Sequence, residues 1–332
     1  MTASATSLGT SSAKANMESV SKPFPSVFAC LALFGSAILL LQAGVPQRSS
    51  TRGANSSLPS LYALRPHSIR PPSTPAVPAQ SHSYLGFDCN IYPGDLALPI
   101  LQKTFVFTSY WLSPPPGEKT NTWLGKREFL RSQGFGFLVL YRGRESGELK
   151  NELAARRNGT LDARNAAAAA KREGFASGAI IFLDIEEGGR LPANYHTYLR
   201  VWSEELTRAG YHPGVYCSGI PVKEGPDVAI TTADDIRNQA ASRDITIWAY
   251  NVFCPPSPGC TFPQDPPPPS SSGIGYAAVW QFAQSPRPKE FTAHCPANYA
   301  PDGNCYAPRD TTHKWFLDVN TATSPDPSGG AK

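Results

Sequence analysis

Residues 180–189, IIFLDIEEGG, run from four apolar side chains into Asp184, Glu186 and Glu187 and end on two glycines. A strand alternates its side chains between two faces, so Ile180, Phe182, Asp184 and Glu186 share one face, while Ile181, Leu183 and Ile185 share the other. An apolar face that finishes in two carboxylates is what the inside of a β/α barrel presents at the carboxyl ends of its strands, where active sites lie. Asp184 and Glu186 are two strand steps apart, about 6.6 Å between α-carbons. Repulsion and partial burial then raise the pKa of one of them and leave a proton donor near neutral pH. Taken alone, such a triplet reads as well as a pair of arginine partners or loop caps.

Seven further runs have the same β-rich texture: YLGFD, TFVFTSY, GFLVLY, GVYCSG, ITIWAY, AAVWQFA and KWFLDVN. Between them lie helical patterns, TWLGKREFLRSQ, LDARNAAAAAKREG, ANYHTYLRVWSEELTRAG and TADDIRNQAAS, each closed by a glycine or serine. Continuously apolar strands alternating with helices predict a parallel sheet covered on both faces. Eight strands between residues 83 and 322 predict a single-domain α/β fold, a modified TIM-type β/α barrel, with an open doubly wound sheet as the competing architecture. A proline-rich loop, CPPSPGCTFPQDPPPPSSSG, takes the place of a helix before the last strands.

Outside this core the texture changes. An uncharged apolar run at residues 27–41 behind Lys14 and Lys22 predicts a signal peptide or membrane anchor within residues 1–44, hence an extracytoplasmic protein, released or tethered. Residues 45–82, rich in Pro, Ser and Arg, predict a disordered linker, and residues 323–332 a disordered tail. Charges nearly balance, at +4 net, with much of the excess before residue 75, so there is no footprint for nucleic acid, and a monomer is expected. The exported part keeps six cysteines, Cys89, Cys217, Cys254, Cys260, Cys295 and Cys305, which predict disulfides. Short loops favour Cys254 with Cys260 and Cys295 with Cys305, leaving Cys89 for Cys217. No closely spaced thiolate pair marks a metal site, and no motif calls for a cofactor: GIGYAA at 273–278 leads into a strand rather than a helix, and YCSGI lacks the spacing of a nucleophile elbow.

Two more acids stand at strand termini, Asp88 in LGFDCN and Asp318 in FLDVN. Barrel closure makes the first and last strands neighbours, so Asp88, Asp184, Glu186 and Asp318 are expected on one rim. Aromatic and amide side chains at strand ends, Tyr110 with Trp111, Tyr141, Tyr216, Trp248, Tyr250, and Trp280 with Gln281, suit stacking on sugar rings and hydrogen bonding to them. The binding set predicted from them is Tyr110, Tyr141, Tyr216, Trp248, Tyr250, Trp280 and Gln281.

The ordered set GFDCNIYPG, FLDIEEGG, GVYCSG, ITIWAY, AVWQFAQ and FLDVN resembles the family 25 glycoside hydrolases, lysozymes that cut peptidoglycan. It is more similar still to a related family of secreted bacterial glycoside-hydrolase-like domains of the mycobacterial envelope-protein type. The resemblance spans residues 84–320 and implies a β/α barrel with an acidic groove for a polysaccharide. It matches Asp88, Asp184, Glu186 and Asp318 to the family's acidic cluster, with Glu186 as proton donor and Asp184 orienting the N-acetyl group in substrate-assisted cleavage. A non-catalytic, glycan-binding barrel is the alternative it leaves open. The chain departs from the family pattern at Cys89, at Glu187 and in the long stretch after the second strand.

Overall fold

Apolar stretches too short to be helices and flanked by Gly, Pro or Asp become eight barrel strands. The computed structural model describes residues 82–239, 242, 244–252, 262–285, 293, 295, 305, 309, 310 and 315–332. The chain runs through β1 (Tyr84–Asp88), α1 (Leu98–Leu101), β2 (Phe107–Trp111), α2 (Arg127–Ser132), β3 (Gly136–Arg142), α3 (Glu152–Arg172), β4 (Ile180–Asp184), α4 (Ala193–Arg208) and β5 (His212–Ser218). A small excursion, β6 (Val222–Lys223) and β7 (Ala229–Ile230), precedes α5 (Thr232–Asn238), β8 (Thr246–Tyr250), β9 (Val279–Ala283) and β10 (Asp318–Ala322). The barrel closes in the order β1, β10, β9, β8, β5, β4, β3, β2. All eight predicted strands are in it.

One expectation is corrected. The sheet is not wholly parallel, because β10 runs antiparallel to both β1 and β9. Asp318 therefore begins its strand instead of ending it, and the antiparallel register sets it directly opposite Asp88. The first and last strands are neighbours, and reversal of the last one is what brings its leading residue to the rim.

The helices follow from their caps. Asn151 accepts the Ala154 amide at 2.9 Å to start α3, with Glu152 in the first turn and Lys171 and Arg172 in the last, which complements the helix dipole. This helix begins nine residues before the predicted LDARN start. Gly159, which reads as a breaker, lies inside it because α4 passes so closely that a Cβ there would stand 2.7 Å from the Tyr198 carbonyl oxygen. Thr231 caps α5 in the same manner, accepting from Asp234.

Phe107, Phe182 and Trp248 fill the barrel interior, with Phe182 and Trp248 edge to face at 5.7 Å. Gly86 makes room for the Phe107 ring, since a Cβ at position 86 would stand 2.1 Å from its Cε2. Gly86→Ala is expected to destabilise the barrel by about 1–3 kcal/mol through overpacking, measured as a drop in thermal midpoint.

Residues 323–332 are not a disordered tail. The Asp326 carboxylate accepts the amides of Phe137, Gly330 and Ala331. Ser328 bonds Val139 through its hydroxyl and Phe137 and Ile180 through its backbone, so the segment seals the amino ends of β3 and β4. Cys89 and Cys217 each carry a thiol, so the expected bridge between them is not made, and Cys295 is disulfide-bonded but not to Cys305. Cys254 and Cys260, like the apolar run at 27–41, lie outside the described residues. Among the described residues no helix is long and apolar enough to cross a membrane.

Candidate active site

The four acids meet at one end of the barrel, in a cavity of about 120 Å³ lined by Asp88, Asp184, Glu186 and Asp318 together with Asn90, Trp111, Tyr216, Trp248, Gln281 and Gln284. Strand alternation places them there: Phe182 and Asp184 share the inner face of β4, Tyr216 that of β5, Trp248 that of β8 and Gln281 that of β9.

A hydrogen-bonded floor fixes Asp88. Its Oδ1 accepts Nε2 of Gln281 at 3.0 Å and Nδ2 of Asn320 at 2.6 Å. Gln281 in turn accepts the Tyr216 hydroxyl at 2.9 Å, and Asn320 accepts the Trp248 indole N–H at 2.9 Å. Four strands thus hold the Asp88 carboxylate of β1 through polar side chains that are themselves buried, an arrangement that rigidifies a site when every partner is matched. Asp318 accepts the Ser285 amide at 2.7 Å.

Burial dominates the electrostatics. It raises Asp88 to about 6 against the pull of its Asn320 and Gln281 hydrogen bonds, and the charge of Glu186 adds to the rise. Asp318 is pushed well above the carboxylate range by burial and then by the charge of Asp88. Asp184 is raised strongly by burial, by the charge of Glu186 and by donating a hydrogen bond to it. Glu186 is raised by burial too, but as acceptor of that bond it is pulled back. Glu186 is nonetheless solvent-accessible, standing at the mouth with protein packed around it, whereas Asp184 is 5% exposed. Burial and the neighbouring charge thus hold Asp184 toward its protonated form. Asp184 Oδ2 is buried with no hydrogen-bond partner among the described residues, a cost of about 1–3 kcal/mol of the kind found at functional sites.

A carboxyl whose folded pKa is raised stabilises the fold below its unfolded value, and that contribution is lost as pH rises through the folded value. For Asp88 the loss runs from the ordinary value of 3.8 up to about 6 and is nearly complete above that. Lowering pH from 7.5 to 5 is expected to add about 1–1.5 kcal/mol from Asp88 alone, a rise of a few degrees in thermal midpoint. Asp88→Asn flattens this dependence, and thermal scans across pH check it.

Three predicted binding residues do not face the cavity. Tyr110 points outward, buried against Trp123, Phe137 and Phe175 with its hydroxyl on Glu173, and Trp111 is the β2 aromatic that lines the site. Trp280 is buried on the outer face, its indole N–H on the Asn251 carbonyl at 2.9 Å. Tyr141 lines a neighbouring groove. Tyr250 sits beside the cavity, its hydroxyl 3.2 Å from Oε1 of Gln284. Glu187 turns away and accepts from the Ser146 amide and hydroxyl. The thiols of Cys89 and Cys217 are held protonated, first by burial and then by nearby carboxylates, which removes either as a nucleophile. Asn90, Asn320 and Gln284 were not among the expected residues. Asn320 shares the face of Asp318 two residues on, a signal that alternation contains.

No curated protein matches the chain. Solved structures similar to it include an uncharacterized protein of B. stearothermophilus (20% identity over 72% of this chain and 95% of that one, TM-score 0.45). The Tat-secreted protein Rv2525c of Mycobacterium tuberculosis is 16% identical over 76% of this chain and 100% of that one, with TM-score 0.43. The spore cortex lytic enzyme SleM of Clostridium perfringens is 14% identical over 73% and 68%, with TM-score 0.44. Residues 117–253, which hold Asp184 and Glu186 and strands β3 to β8, match the family model of the Rv2525c-like, glycoside hydrolase-like domain.

Proposed function

We propose that the protein is an exported glycosidase that hydrolyses an amino-sugar polymer such as peptidoglycan. The observation that carries this reading is the gathering of Asp184 and Glu186 at one cavity with Asp88, Asp318 and the aromatic side chains of Trp111, Tyr216 and Trp248. Trp and Tyr faces stack on sugar rings, and paired carboxyls with divergent environments divide into acid and assistant.

Glu186, at the mouth, gives its proton to the glycosidic oxygen as the C1–O bond breaks. The carbonyl oxygen of the sugar's own acetamido group bonds to C1 from the other face, and Asp184 accepts the acetamido N–H. Water then adds to C1, giving its proton to the Glu186 carboxylate and releasing the carbonyl. Binding supplies the trigger: an N–H at Asp184 favours its ionised form, so the Asp184 proton passes to Glu186. The sub-ångström fit of such a relay depends on the fixed Asp88 floor.

Export is supported by the apolar run at residues 27–41, with residues 45–82 as a tether to the barrel. The test is to incubate the purified protein with cell-wall and chitin-type polymers and to measure released reducing ends; release from an N-acetylated polymer but not from its de-N-acetylated form is expected. A glycan-binding barrel without turnover is the second reading, favoured by the small acid cavity, below the roughly 300–1,000 Å³ of ordinary ligand sites.

A further inference from the structure

The outward face of α3 differs in kind from the face it buries. Ala155, Gly159, Ala163, Ala166 and Ala170 are buried, and Gly159 lies against Tyr198 and Val201 of α4. Helical periodicity brings Leu153, Arg157, Leu161, Arg164, Lys171 and Arg172 together on the opposite side, and all of them are exposed. The stripe runs about 28 Å from Leu153 to Arg172. It carries four cations, Arg157, Arg164, Lys171 and Arg172, and no carboxylate.

Beside the stripe, charges on the same two helices are matched: Arg156 takes Glu152 at 2.7 Å and Arg200 takes Glu204 at 3.0 Å. Within it, Arg164 reaches Glu205 at 3.6 Å, and that carboxylate is shared with Arg208. Arg157, Lys171 and Arg172 make no ion pair among the described residues. Lys171 and Arg172 also complement the helix dipole at its negative end, but Arg157, in the second turn, gains nothing from it. Leu153 is 78% and Leu161 48% exposed, with Arg157 between them. A single exposed leucine is ordinary; two set among unmatched cations make a surface that is basic and apolar at once.

We propose that this face of α3 docks on an anionic phospholipid bilayer, with the helix lying along the membrane surface. The docking is separate from the acid cavity and does not require that the cavity turn over a glycan. Unmatched Arg and Lys are drawn to negative headgroups by charge, and leucines beside them reach the boundary between headgroups and acyl chains. The helix does not insert, because its small-residue face is occupied by α4. A nucleic acid or a soluble polyphosphate would engage the cations but has no use for Leu153 and Leu161. A second copy of the chain, paired symmetrically through this face, would set cation against cation.

The test measures co-sedimentation of the full chain with vesicles of phosphatidylcholine alone and of phosphatidylcholine with about 30% phosphatidylglycerol. The parent protein is expected to prefer the anionic vesicles, and the triple change Arg157→Gln, Lys171→Gln and Arg172→Gln to cut that preference by about 100-fold, at about fivefold per cation. Arg157→Lys with Arg172→Lys should preserve it, because a bilayer reads charge and not the guanidinium fork. Leu153→Ser with Leu161→Ser should weaken binding by about tenfold. Leu161→Trp should add fluorescence that brominated phosphatidylglycerol quenches, which locates the contact at α3 however else the chain attaches. These positions are exposed, so thermal midpoints should stay at the parent value. A parent without preference, a preference that survives the triple change, or an added indole that brominated lipid leaves unquenched overturns the proposal. Binding that needs the cations but not the leucines, and that soluble polyphosphate captures equally, reassigns the face to a polyanion and overturns it as well.

Discussion

Replacing Glu186 by Gln is expected to lower the release of reducing ends by about 10²–10⁴-fold, the usual worth of a positioned general acid. Gln keeps the shape and the hydrogen-bond capacity of Glu but carries no transferable proton. Binding of the glycan, read by calorimetry, should persist, because the stacking faces of Trp111, Tyr216 and Trp248 and the Gln281–Asp88 floor are untouched. The thermal midpoint should hold or rise at pH 7.5, since the variant removes a carboxylate from a cluster of four whose members raise one another's pKa values. Stability gained with activity lost is the signature of a functional site. A protein that only binds glycan would show the same binding and no cleavage before or after the change. Undiminished cleavage would remove Glu186 from the role of acid.

Much of this architecture was legible because barrel strands buried on both faces are continuously apolar, and their ends are marked by Asp or Gly. IIFLDIE could be oriented side chain by side chain from alternation alone. The same rule separates Trp111 from Tyr110 once the inner face of β2 is known, but its phase is set by pairing with Gly86, which a single sequence does not fix. The direction of β10 was not legible either. Its position beside β1 follows from closure, but no crossover helix of recognisable pattern precedes it, and an apolar strand reads alike in both directions. Asp318 reaches the rim through that reversal. The last ten residues carry the Ser, Pro and Gly of a loose end. What orders them is tertiary, the bonding of Asp326 and Ser328 to β3 amides that no neighbouring strand covers. The Cys89–Cys217 pairing comes by elimination, which says nothing of whether two side chains meet: both keep their thiols, and Cys217 is enclosed in the core.

Replacing Asp184 by Asn should reduce kcat by about 10²–10³-fold and also move the pH profile. In the free protein burial and the charge of Glu186 hold Asp184 well above the carboxylate range, toward its neutral form. An amide at this position cannot become the anion that accepts the acetamido N–H, so the proton has no reason to cross to Glu186. It also leaves a permanent donor to Glu186, which favours ionised Glu186. Activity that needs Glu186 protonated must then fail at lower pH, so the alkaline limb of the kcat/KM profile should shift toward acid. A purely structural loss would scale the profile down at every pH without moving its limb. Asp184→Ala, which removes the donor as well, should shift the limb less than Asp184→Asn while costing at least as much rate. The ordering of the two limbs is therefore the measurement that separates an assistant carboxyl from a packing residue, because only an assistant couples the protonation of Glu186 to what stands at position 184.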